Sequence, residues 1–136
     1  MGVLDGSGLI AFVPTTDLPR ARAFYAETIG LPITDESPFA CVFDANGTML
    51  RLTPVRKLSR TRYTVLGWNV ADIASTVASL VAAGVEFVRY RGMDLDEAGI
   101  WTAPSGDRVA WFEDSDGNML SLTQFVASEP SRMLEP

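Results

Sequence analysis

One pattern occurs twice along this chain, and the repeat restricts the fold more than any other feature. Asp17 precedes a stretch in which Ala21, Phe24, Tyr25 and Ile29 recur at helical spacing, and Gly30 closes it. Asp72 precedes Ile73, Val77, Leu80 and Val81 in the same way, and Gly84 closes that stretch. The two aspartates lie 72 − 17 = 55 positions apart, and each stands 13 or 12 residues before its glycine. Asp caps a helix because its carboxylate accepts a free N–H of the first turn. Gly ends one because it tolerates the left-handed conformation of the C′ position. Pro19 suits the first turn, and Pro32 prevents the first helix from continuing.

Strands surround both helices. Leu9–Val13 precedes the first; Phe39–Phe43 and Thr48–Thr53 follow it, with Asn46-Gly47 as a hairpin turn between them. Tyr63–Val70 precedes the second helix. Val85–Tyr90, Gly99–Thr102, Arg108–Glu113 and Met119–Phe125 follow, the last two joined by Asp114-Ser-Asp-Gly-Asn118. Each half reads strand, helix, then a run of strands whose last two form a hairpin, and neither is large enough to be comfortable alone, so the halves are expected to share one sheet system. The division is a single domain, with modules at about 9–54 and 63–126, a basic linker at 55–62 and a tail at 127–136.

Composition narrows the chemistry. The chain has 136 residues, 47% hydrophobic and 21% charged, as expected for one globular domain. A formal charge of −6 argues against nucleic-acid binding. No apolar run reaches the roughly 20 residues of a membrane span, so no membrane partner is expected. The opening residues have no basic-then-apolar signal pattern, and a cytoplasmic address is expected. The single Cys41 fits a reducing compartment and reads as a buried thiol. There is no His. That excludes Ser-His-Asp triads, His-ligated zinc and the two-His-one-carboxylate iron site.

Asp17-Leu-Pro-Arg-Ala-Arg-Ala-Phe-Tyr25, followed by Ile29-Gly-Leu-Pro32, resembles the opening of the vicinal oxygen chelate superfamily, which includes glyoxalase I, extradiol dioxygenases and bleomycin-binding proteins. Trp111-Phe-Glu-Asp-Ser-Asp-Gly-Asn118, with Leu120 and Leu122, resembles its closing hairpin, with Ser115 where the family often has Pro. The resemblance covers residues 9–126. It implies an α+β fold: two tandem βαβββ modules forming curled mixed sheets around a cleft, with helices outside. It also implies metal-ligand positions at Ile10, Arg51, Val65 and Ser121. Two are aliphatic, one is cationic and one is a neutral hydroxyl, so the metal set is not retained. Neither a metal nor another cofactor is expected.

From those four positions, period-two alternation extends the cleft face to Phe12, Pro14, Met49, Thr53, Gly67, Asn69, Met119 and Thr123. The opposite parity is strongly apolar and packs on the helices. The expected ligand-binding set is Ile10, Phe12, Met49, Arg51, Val65, Gly67, Asn69, Trp101, Trp111, Met119 and Ser121, a mixture typical of small-molecule pockets. Arg51 can hold a polar ligand or reach to the rim. Trp101 and Trp111 suit a planar ligand, but parity leaves the face of Trp111 open. The carboxylates of Arg89–Glu97 read as solvated loop residues rather than a cation site, and Asp114–Asn118 reads as a turn rather than a calcium loop.

The reading that follows is a metal-free protein that binds a small organic molecule, with a homodimer as the assembly. The alternatives are a lyase, isomerase or dioxygenase of the same superfamily, and an interaction module that has lost its ligand.

Overall fold

The computed structural model describes residues 2–126, and the tail expectation for 127–136 lies outside them. The described residues form two compact units: residues 2–60 with Asp114–Gly117, and Thr61–Glu113 with residues 118–126.

In the first unit, β1 (Ile10–Thr15), β4 (Thr48–Pro54), β3 (Ala40–Ala45) and β2 (Ile33–Ser37) lie side by side in that order. The β1–β4 pair is parallel and the others antiparallel. Helix α1 (Leu18–Ala23) starts at Asp17, whose carboxylate accepts the Arg20 N–H. From Phe24 to Ile29 the helix widens into a π-helix and ends at Gly30 with φ 88°. The Gly30 and Leu31 N–H groups both reach the Tyr25 carbonyl. The expected helix is therefore present, but only its first half is α-helical. The β3–β4 turn has Asn46 at φ 51° and Gly47 at φ 95°, the two positive angles of the favoured hairpin turn.

In the second unit, β5 (Thr64–Asn69), β8 (Met119–Gln124), β7 (Arg108–Glu113) and β6 (Trp101–Thr102) form the second sheet, with β5–β8 parallel. Helix α2 (Ile73–Ala82) is capped by Asp72, and the Gln124 side-chain oxygen also accepts the Ile73 N–H. Hydrogen bonding thus builds two separate four-stranded mixed sheets, a correction to the single shared sheet system expected from module size.

Val85–Tyr90 is not a strand. Only Phe87 bridges to Phe112, and the Val88 N–H donates to the Trp111 carbonyl. The reason is competition for one edge. The free side of β7 is taken by Phe87 and Val88 near its Glu113 end and by β6 near its Arg108 end. Neither segment has room for a full ladder.

Each sheet buries one face. Val13, Leu50, Leu52, Cys41 and Phe43 are at most 2% exposed with Tyr25 and Ala21 in the first unit. Ala110, Phe112, Leu120 and Leu122 are buried with Ile73 and Val77 in the second. This is the apolar parity read from the sequence.

Candidate functional site

The register assigns the opposite faces. In the first sheet, Ile10 stands beside Met49, Arg51 between Phe12 and Val42, and Pro14 beside Thr53. Ile10, Phe12 and Met49 are 46%, 63% and 43% exposed, so this face presents apolar side chains to solvent. The Arg51 guanidinium is half-buried among them and forms no hydrogen bond or ion pair among the described residues. Two positions along β4, the Thr53 hydroxyl is buried without a partner. A guanidinium has five donors and keeps its charge, so it needs an anion, a carbonyl oxygen or water.

In the second sheet, one rung holds Gly67, Ser121 and Trp111, and the next holds Asn69, Thr123, Val109 and Trp101. Register thus places Trp111 on the face of Ser121, which parity alone left open. Ala110 and Phe112 take the buried side. A Cβ at Gly67 would meet the Ser121 Oγ at 3.1 Å, so the glycine leaves that hydroxyl uncovered on its β5 side. Ser121 and Met119 are themselves buried, at 7% and 4%; Met119 shares the Ser121 face and is as little exposed. Val65 sits at a register shift between Thr64 and Leu66, off the regular alternation, because Thr64 rather than Val65 pairs with Met119.

The four positions that the resemblance marks for metal are therefore Ile10 and Arg51 on one open face, Ser121 on the other, and Val65 at the irregularity. They supply one hydroxyl oxygen and no carboxylate, imidazole or thiolate. Among the described residues no group of three or more Cys, Asp or Glu side chains is placed to hold a metal. This donor set does not fit the family's metal, and no chemistry through one follows.

The aspartates of the closing hairpin do more than turn the chain. The Asp116 carboxylate is 1% exposed and accepts from Thr15 Oγ1 (2.5 Å), Thr16 N (2.9 Å), Thr16 Oγ1 (2.8 Å) and Arg20 Nη2 (3.3 Å). Burial opposes its charge, but the bonds from Thr15 and Thr16 and the Arg20 charge outweigh it and hold the acid below its ordinary range. Tyr25, fully buried, donates to Asp114 Oδ2 at 2.7 Å. Burial, then the Asp114 and Asp116 charges, push the phenol far above its usual range, so it stays neutral. These carboxylates belong to the structure and are committed to protein donors. The turn reading of Asp114–Asn118 missed this, because the partners lie about a hundred positions away in sequence. Cys41 is 1% exposed, and burial followed by the Glu36 charge raises its thiol, which makes it a poor nucleophile.

The chain has the fold of several solved proteins. Lactoylglutathione lyase from Agrobacterium tumefaciens superposes with a TM-score of 0.69 at 15% identity, covering 88% of this chain and 93% of that one. TioX from Micromonospora sp. ML1 gives 0.68 at 19%, covering 89% and 100%. TnmS3, an antibiotic binding protein from Streptomyces sp. CB03234, gives 0.65 at 22%, covering 92% and 100%. No curated protein matches the chain in sequence. The profile of the Glyoxalase/Bleomycin resistance protein/Dioxygenase superfamily matches residues 9–122, both repeats in order, and the chain belongs to that superfamily.

Proposed function

We propose that this protein binds a small organic molecule on an open sheet face and uses no metal to do so. The observation that carries the reading is the replacement of the family's ligand positions by Ile10, Arg51, Val65 and Ser121, with the Arg51 guanidinium left without a partner among the described residues. Apolar surface at Ile10, Phe12 and Met49 supplies affinity. Arg51 fixes orientation by donating to a carboxylate or carbonyl of the ligand. The kinship in fold with an antibiotic binding protein supports this class of role.

The protein is also proposed to be a homodimer. The exposed apolar residues beside the β1 edge favour this, since such edges and patches are normally covered. A single 14.8 kDa species in sedimentation at micromolar concentration would contradict it.

A thermal-shift screen of anionic, cationic and neutral organic compounds, run with and without EDTA, tests the binding reading. The expected result is stabilisation by one chemical class, equal in both series. A library without a single stabilising compound would count against ligand binding, and stabilisation that EDTA abolishes would count against the metal-free part.

A further inference from the structure

Three aromatic rings gather on the open face of the second sheet. Tyr90 meets Trp111 edge-on, with centroids 5.3 Å apart and an interplanar angle of 85°. Trp101 lies 6.3 Å from Trp111, tilted by 36°. The register explains the pairing. Trp111 opposite Ser121 and Trp101 opposite Val109 put both indoles on one face, one rung apart. Rings packed on every side would offer nothing to a ligand. Here all three rings remain partly exposed. Neither indole N–H nor the Tyr90 hydroxyl has an acceptor among the described residues.

The rings are held in place before any ligand arrives. Arg89 donates to the carbonyls of Asp96 (2.9 Å) and Glu97 (3.3 Å), closing the neck of the loop that carries Tyr90. The Asp96 carboxylate accepts from the N–H groups of Ala98 and Ile100, and Leu95 bridges to Trp101. Beyond Trp111 on the same rung stand the Ser121 hydroxyl, also without a partner among the described residues, and side-chain-free Gly67.

We infer that this cluster sets the ligand class: a planar aromatic molecule carrying carbonyl or ether oxygens on its edge. The inference rests on the small-molecule reading above and gives it a chemistry. Flat indole faces reward a flat partner. Four donors without an acceptor among the described residues, from Trp101, Trp111, Tyr90 and Ser121, call for acceptors on the ligand, because a pure hydrocarbon would desolvate them without return. Fixing the rings in advance lowers the ordering cost of binding.

Calorimetric titration with lumichrome, alizarin and acridone, three planar carbonyl-bearing probes, tests this against cholate, which is rigid but neither planar nor aromatic. The proteins are the wild type, Trp111→Leu, Trp101→Leu and Trp68→Phe. Trp68 pairs with Leu122 and belongs to the opposite face. At least one planar probe should bind the wild type and Trp68→Phe alike. It should bind the two Leu variants about tenfold more weakly, the scale of a lost stacking partner. Trp111→Phe, which keeps a ring, should lose less and replaces Trp111→Leu if that variant does not fold. Planar-probe affinity unchanged in both Leu variants overturns the inference. So does binding of cholate but of no planar probe, a result that leaves small-molecule binding intact. No binder among these probes or in the wider screen removes both.

Discussion

Asp116→Ala tests the structural reading of the closing hairpin. The carboxylate accepts three bonds from Thr15 and Thr16 and one from Arg20, with its own side chain almost fully buried. Not every bond is forfeited by truncation. The Thr15 hydroxyl lies 3.0 Å from the Asp17 carbonyl and can turn to it, and the Thr16 groups and Arg20 are exposed enough to reach water. The loss is therefore near the upper range for one charged hydrogen-bond acceptor rather than the sum of four, about 3 kcal/mol. Unfolding entropy of about 2.1 cal/mol/K per residue over this chain makes each kcal/mol worth about 3.5 °C, so the melting temperature should fall by about 10 °C. Asp116→Asn, which turns an amide N–H₂ toward donors, should lose about 2 kcal/mol. The sign of the pH effect follows from a depressed carboxyl. The stabilisation is present above the unfolded-state value of about 3.9 and is lost as pH falls through the lower folded-state value, so the variant should show a shallower loss of stability in acid. Urea unfolding across pH, followed by circular dichroism, reads both quantities. An Asp116→Ala midpoint within about 0.5 kcal/mol of wild type, or an unchanged acid slope, would show that the buried carboxylate does not stabilise the fold.

Tyr25→Phe should cost about 2 kcal/mol, because Asp114 loses a buried donor. Since the phenol is raised in the fold, the wild type should lose stability as pH rises above about 10, and the variant should lack that loss in alkaline urea titrations. Arg51→Met should weaken the best screen compound by about 1.5–3 kcal/mol in calorimetry if that compound carries an anion or carbonyl, while stability changes by less than about 0.5 kcal/mol. The Cys41 thiol should react with iodoacetamide only as fast as the protein opens, and mass spectrometry in native buffer against urea measures the difference.

How far the sequence reaches is visible in particular elements. Asp17, Gly30, Asp72 and Asn46-Gly47 act through neighbours a few residues away, and the structure places each cap and turn where the spacing puts it. The buried parity of β4 and β7 follows from alternation alone, whereas β8 is buried at four successive positions, Met119 to Leu122. The π-helical turn after Ala23 was not legible, since α and π turns share one apolar stripe. Val85–Tyr90 has a strand's pattern, and only the crowding of one β7 edge keeps it from pairing. The buried roles of Asp114 and Asp116 depend on Tyr25, Thr15 and Thr16, which no local pattern connects to them. On the open faces, parity placed Arg51 and Ser121 but left Trp111 undecided until the pairing with Ser121 settled it. Tyr90 reads in the sequence as the end of a strand, and its place against Trp111 follows from the folded loop alone.

Elemental analysis decides whether the chain holds a metal. Purified protein would be equilibrated in turn with Zn²⁺, Ni²⁺, Fe²⁺ and Mn²⁺, dialysed, and analysed for metal per chain. With Ile10, Arg51, Val65 and Ser121 at the family's ligand positions, the expected content is well below one ion per chain for every metal. Retention of one ion per chain would contradict it.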